Sequence, residues 1–344
     1  MQIKTYVLFG KKKIQYLTAN INPKVKKNKV LVRIIYSGLC RSQLMEIDMK
    51  RGKDKFIPHM FGHEAIGQVV KVGKNVKKVK VNDKIIVSWI KGKGLSSDGD
   101  CFEINKKKIN YGPISTISNY SIISENRCFP VSKNFPEKIG SLFGCSILTG
   151  AGMVLNKFKL KSNDFVLVIG VGGVGFASLL ALKAKNIRNV VILDSNIKKK
   201  KIVKKLGYNL FFKPNVKNLL SKLKKITKGR LFDYCFESSG SIKSIEQGFG
   251  YINYSGSLLF ASHPQFQKKI KLDPHELIKG KKIYGSWGGS SIPDRDIEKI
   301  FKLFKRKNLL KFIDTKIYPM RDLKIAIQDF RVGKVLRPII KMTH

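Results

Sequence analysis

Up to about residue 146 the apolar positions come in short runs punctuated by Gly, Asn and Asp. "VLVRIIYSGLC", "GQVVKVG" and "VNDKIIVSW" alternate or cluster β-branched residues, the pattern of half-buried strands. This stretch is expected to form an irregular β domain. Near residue 147 the rhythm changes. "FVLVIG" is an apolar strand, "VGFASLLALKA" has helical spacing, "VVILD" is a second strand, and "SNIKKKKIVKKLG" is a helix ending at Gly207. "LFF", "LLSKLKKIT", "FDYCFESSG", "SIEQGFGYI", "GSLLFAS", "PHELIKG" and "KKIYGSW" continue the alternation. Helices alternating with continuously apolar strands predict an α/β fold with a doubly wound parallel sheet. From about residue 289 the pattern breaks again into the helix "DIEKIFKLFKRK", the strand "DTKIYP", the helix "DLKIAIQDFRVG" and the strand "RPIIKM". This tail is too short to stand alone and is expected to rejoin the first domain. The predicted division is therefore 1–146, 147–288 and 289–344.

A chain of 344 residues, 43% hydrophobic, is comfortable as two globular domains. No run of 18 uncharged apolar residues occurs, and "MQIKTYVLFGKKK" lacks the apolar stretch of a signal peptide. The expectation is a cytoplasmic protein with no membrane partner. Cys40, Cys101, Cys128, Cys145 and Cys235 are odd in number and scattered, which points to metal binding or burial and away from a disulfide framework.

The formal charge of +45 raises nucleic acid as a partner. Of the 68 basic residues, however, 57 are Lys and 11 are Arg, spread through every segment. Specific readers lean on Arg for bidentate contacts. A Lys-rich solvated surface accounts for the charge, and no specific nucleic-acid partner is expected. A basic nucleic-acid-binding protein is the alternative from a different class.

Gly170, Gly172 and Gly175 form G-x-G-x-x-G between a predicted strand and helix. The first allows a tight turn, the second a close approach of backbone to a pyrophosphate, and the third close packing of helix on strand. The helix N-terminus favours the phosphate charge. Asp194 closes the next strand, where a carboxylate accepts hydrogen bonds from ribose hydroxyls and repels a 2′-phosphate. NAD is thus favoured over NADP. Lys198 to Lys201 follow closely and soften that preference.

Ahead of this loop stand Cys40 in "SGLCRSQ", His63 and Glu64 in "FGHEAIG", and Cys145 in "FGCSILTGAG". Each alone reads as an ordinary core or hydrogen-bonded residue. Together, two thiolates and an imidazole leave a tetrahedral zinc ion an open fourth position, as in a catalytic site. Thiolates suit zinc and disfavour hard ions, and zinc lowers the pKa of a coordinated hydroxyl.

In these settings the residues resemble the zinc-containing alcohol dehydrogenases of the medium-chain dehydrogenase/reductase superfamily. "GHE" followed by "IGQVVKVGKNVKKVKVNDKI" is the most specific part, and the likeness runs over essentially the whole chain. The resemblance implies a GroES-like β-rich catalytic domain and a Rossmann domain binding NAD, with the C-terminal segment returning to the first. It implies Cys40, His63 and Cys145 as zinc ligands, Glu64 as an exchangeable ligand, and Ser42 bonded to the substrate hydroxyl. Arg41 and Arg337 would hold the pyrophosphate, Thr149 and Val174 would press on the nicotinamide, and Lys199 would lie near the adenosine ribose. Gly173 belongs to the same cofactor loop. Substrates would be small alcohols or carbonyl compounds, and the assembly a homodimer or homotetramer.

Three departures qualify this. The stretch "KGKGLSSDGDCFEINKKKINYG" contributes only Cys101 where many relatives carry a four-cysteine lobe, so one catalytic Zn2+ per subunit and no structural zinc are expected. Gln43 stands where "CRS" is usually followed by Asp; its amide carbonyl is expected to accept the imidazole N–H without charge. Met45 replaces a proton-accepting His, which leaves solvent or Glu46 to end the relay. Trp89 is expected to shape the substrate pocket, while His59 is read as structural. Within the enzyme class a polyol, sugar-alcohol or sugar-precursor dehydrogenase is the alternative, with a glutathione-adduct dehydrogenase less favoured. Metal-free quinone or enoyl reductases lack the ligand set, and a catalytically dead relative would bind neither metal nor cofactor.

Overall fold

A computed structural model describes residues 1–104, 106–313 and 315–344. The chain divides into two compact units, one of Met1–Ser146, Ile292–Glu298 and Asp314–His344, the other of Ile147–Ser291 and Lys299–Ile313.

The first unit is built on two sheets. In one, Lys13–Asn20, Gln2–Gly10, His59–Met60, Lys107–Tyr111 and Asp100–Ile104 lie in that order. In the other the order is Cys128–Pro130, Lys84–Ser88, Glu64–Val72, Lys29–Gly38, Pro338–Lys341 and Lys316–Pro319, and Tyr120–Ser124 also pairs with Lys29–Gly38. Lys29–Gly38 was expected to be half-buried. It is buried at every position except Arg33 and Ile35, because three strands flank it and apolar side chains cover both faces. A strand so enclosed has no solvent face to mark with alternating polar residues.

The C-terminal strand Pro338–Lys341 pairs antiparallel with Lys29–Gly38, Ile339 opposite Gly38, and parallel with Lys316–Pro319. The predicted strand "DTKIYP" begins at Asp314, which lies outside the described residues. Residues 289–291 and 299–313 were expected with the tail, but they fall in the second unit. The helix Pro293–Arg306 buries Ile297, Ile300, Phe301 and Phe304 in an unbroken apolar stripe, so its periodicity alone does not say which core each turn joins.

The second unit is a six-stranded, wholly parallel sheet. Its order is Leu210–Phe212, Val190–Leu193, Val166–Ile169, Phe232–Glu237, Ile252–Phe260 and Lys282–Gly285. Counted along the chain this is 3-2-1-4-5-6, the Rossmann order, and ligands bind such sheets at the carboxyl ends of the strands where the order reverses. Val166–Ile169 is fully buried, and so is nearly all of the helix Gly173–Ala184 that follows it. Helices such as Leu219–Ile226 and Ile242–Tyr251 bury one face each. Among the described residues no single helix is long and apolar enough to cross a membrane.

Candidate active site

Strand register carries the soft ligands to one end of a sheet in the first unit. Ser37 pairs with Ala65, and Glu64 with Ser88, so His63 and Glu64 stand between the residues that follow Gly38 and those that follow Ser88. Cys40 sits just beyond the strand with extended backbone (φ −98°, ψ 155°) and caps the helix Arg41–Ile47. Cys145 arrives through the turn Ser141–Gly144, which presses on Val87; a Cβ on Gly144 would collide with the Val87 carbonyl oxygen, and Ser88 Oγ donates to Gly144 O at 2.6 Å.

The donor atoms of Cys40, His63 and Cys145 all lie within 4.8 Å of one another, and His63 Nε2 is 3.3 Å from Cys145 Sγ. Sulfur at about 2.3 Å and nitrogen at 2.0–2.1 Å from one tetrahedral ion would be roughly 3.6 Å apart. The spacing and the donor set therefore fit a single zinc ion.

Charge in this place is tightly managed. The hydrogen bond between the two thiols holds Cys40 well below the usual thiol range, with Arg337 and His63 acting the same way against burial. The same bond, reinforced by burial, pushes Cys145 well above it. Burial also raises Glu64, and the Arg337 guanidinium opposes that rise. Continuing the pairing of Ile339 with Gly38 by two residues brings Arg337 opposite Cys40. Arg337 is 4% exposed and donates through Nε to Glu64 Oε1 at 3.1 Å and through Nη2 to the same oxygen. Burial works against its charge, but Cys40, Glu64 and Cys145 together hold that charge in place. A Cβ on Gly38 would overlap the Glu64 carboxylate, so glycine there opens the room the pair occupies.

Ser42, two residues along the chain from Cys40, has its Oγ buried with no hydrogen-bond partner. Arg41 is exposed at the start of its helix. The Trp89 ring meets His63 edge-on with centroids 6.5 Å apart, and Arg127 Nη1 donates to the Trp89 carbonyl.

Gln43 differs from expectation. Its carbonyl Oε1 accepts the Cys40 N–H at 2.7 Å, so the amide nitrogen, not the carbonyl, faces His63 Nδ1. The cause is local: the third residue of a helix reaches back naturally to the backbone N–H of the capping residue.

In the second unit the three glycines each meet a physical demand. Gly170 has φ +86°, and a Cβ there would lie 2.8 Å from Ser239 N. A Cβ on Gly175 would run into the Gly170 carbonyl, whereas one on Gly172 would meet nothing within 4 Å. Gly172 caps the helix that Gly173 and Val174 begin, so open space lies over its N-terminus. A helix N-terminus left open in this way favours an anionic group. Asp194 Oδ2 accepts from Val171 N at 2.6 Å and pairs with Lys199 Nζ at 2.9 Å, while Oδ1 accepts from Asn196 N at 2.8 Å. Thr149 is buried with Oγ1 unpartnered. Its neighbour Gly150 packs so closely on the Val174 carbonyl that a Cβ there would overlap it.

Two features escaped the sequence reading. Glu46, Asp54 and His59 place their ligand atoms within 4.8 Å of one another. His59 is bonded to Asp54 Oδ2 at 2.8 Å and to Met60 O at 2.9 Å, and nothing in the spacing 46, 54 and 59 announces the cluster. The other is Glu237, which pairs with Ile169 at the end of its strand and was visible only as a polar residue closing an apolar run. Its Oε1 accepts from Ser239 N at 2.7 Å, and its Oε2 is buried without a partner.

Two family descriptions match in tandem, the alcohol dehydrogenase GroES-like domain over residues 26–133 and the zinc-binding dehydrogenase over residues 173–306. The chain belongs to the zinc-containing alcohol dehydrogenase family. Alcohol dehydrogenase-like 3 of Arabidopsis thaliana is 26% identical, with 92% of this chain and 90% of the relative covered. An S-(hydroxymethyl)glutathione dehydrogenase of Komagataella pastoris is 23% identical over 92% and 91%. In fold, the chain resembles the solved benzyl alcohol dehydrogenase of Acinetobacter calcoaceticus, with a TM-score of 0.89, 23% identity and both chains fully covered. This member of the family is thus an oxidoreductase of the alcohol dehydrogenase type.

Burial pushes the Glu237 carboxyl up to about 7, against the bonds from Ser239 and Gly240. Between the ordinary value and about 7 the folded chain keeps a proton that the unfolded chain loses, so this group's contribution to stability falls as pH rises through that window. Glu237→Gln should flatten the decline in urea midpoint between pH 5 and pH 8; an unchanged decline would contradict this.

Proposed function

We propose that the chain is a zinc-dependent, NAD-linked dehydrogenase of small alcohols, holding one catalytic zinc per subunit through Cys40, His63 and Cys145. The observation that carries this is the convergence of two thiols and an imidazole on one place. Zinc bound there supplies a Lewis acid that stabilises negative charge developing on a substrate oxygen. Ser42 Oγ, free of any protein partner, accepts a hydrogen bond from the substrate hydroxyl. Glu64 is the exchangeable carboxylate, held by Arg337 until it is needed. The Trp89 ring, set against His63, limits the width available to the substrate.

On the cofactor side the open space over Gly172 receives the pyrophosphate, whose charge the helix N-terminus there favours. Asp194 accepts the ribose hydroxyls, which favours NAD. Its pairing with Lys199 lessens repulsion of a 2′-phosphate, so NADP is disfavoured rather than excluded. Thr149 and Val174 bear on the nicotinamide ring. All five thiols are free, which suits a reducing compartment such as the cytoplasm. The edge strand Lys282–Gly285 is proposed to pair with its copy across a two-fold axis in a homodimer or homotetramer.

The assay is NAD reduction with a panel of aliphatic, aromatic and polyol alcohols, run with elemental analysis. Wild type should carry zinc and reduce NAD with at least one of them. Cys145→Ser should lose zinc and at least 1000-fold in turnover while keeping its circular dichroism spectrum. Full activity in that variant would overturn the mechanism. In sedimentation the protein should run as a dimer or tetramer; a monomer at all concentrations would remove the edge-strand pairing.

A further inference from the structure

We propose that Gln43 makes metal loading compete with helix capping for one carbonyl oxygen, so that this chain binds its zinc less tightly than the same fold with a carboxylate at that position. The inference rests on reading Cys40, His63 and Cys145 as a metal site. Gln43 is 1% exposed, and water has little access to replace a lost bond. Its two amide atoms meet two groups: Oε1 takes the Cys40 N–H at 2.7 Å, and Nε2 faces His63 Nδ1.

A neutral imidazole that gives its Nε2 lone pair to a metal carries its proton on Nδ1. That N–H then points at the amide N–H of Gln43, donor against donor. Turning the amide over offers the carbonyl to His63 but sets the amide nitrogen against the Cys40 N–H, again donor against donor. One buried donor beside the metal loses its partner whichever way the amide points, and such a loss is costly. Without metal the conflict disappears. With the proton on Nε2, His63 donates to Cys145 Sγ at 3.3 Å, Nδ1 accepts from Gln43 Nε2, and Oε1 keeps the Cys40 N–H. The metal-free arrangement gives a partner to both the Cys40 N–H and the His63 ring N–H, and the loaded one does not.

A carboxylate has two acceptor oxygens and serves both donors at once. Groups that orient a ligating imidazole from behind are worth about 10–100-fold in metal affinity. The chain therefore carries a zinc site with raised release, set by one side chain that touches no substrate.

The test uses the full-length protein. Zinc affinity is measured by competition with a chromophoric chelator, and the tautomer of each histidine is read from 15N-labelled imidazole spectra of the metal-free protein. Gln43→Glu should tighten zinc about 10–100-fold and move metal-free His63 from the Nε2–H tautomer to the Nδ1–H tautomer. Equal or weaker zinc binding by a folded Gln43→Glu protein would overturn the proposal. An Nδ1–H tautomer in the metal-free wild type would also overturn it, even if the variant fails to fold. A wild type that binds no zinc at all would instead defeat the underlying reading of the metal site.

Discussion

The buried pair of Arg337 and Glu64 is the constraint on which the rest of the site depends. Two thiols, an imidazole and a buried carboxylate crowd one end of a sheet, and unopposed negative charge there would be costly. The guanidinium that offsets it comes from the far end of the chain. It reaches the site because the last strand pairs in register with Lys29–Gly38. A buried ion pair of this kind is no guarantee of stability, since desolvation opposes attraction. Its effect here is positional: Glu64 is held back from the donor trio, and Gly38 and Gly144 keep side chains out of the space this requires.

The two units each gather one group of chemically distinctive features. The first brings together two thiols, an imidazole and a buried carboxylate, placed by antiparallel register. The second sets an open helix N-terminus after a parallel sheet whose first strand ends in a left-handed glycine. In each the functional group sits just past the end of a buried strand, where the backbone is rigid and one end of the strand is open. The hydroxyl of Ser42 is buried without a partner, and a Cβ on Gly172 would meet nothing within 4 Å.

Much of this was legible in the residues. The alternation of strands and helices after residue 147 carried the parallel sheet, and the glycine spacing carried the tight turn and the close packing of helix on strand. The ligand trio needed the settings "GHE", "CRS" and "FGCS" to be seen as one group, since each member alone is ordinary. What stayed hidden depends on direction in space. Lys29–Gly38 hides its enclosure because a strand covered on both faces has no alternation to read. The stripe of Pro293–Arg306 does not name the core it joins. Gln43 is visible as a substitution, but the way its amide turns follows from helix capping at Cys40. The cluster of Glu46, Asp54 and His59 is brought together by packing alone, and Glu237 shows in the sequence only as a polar residue closing an apolar run.

The most direct measurement is zinc K-edge X-ray absorption on the purified protein, with metal content determined on the same sample. The account predicts one zinc per chain with two sulfur ligands at about 2.3 Å and one imidazole nitrogen at about 2.0–2.1 Å. Absence of zinc, or a shell made only of oxygen or of four sulfurs, would contradict it.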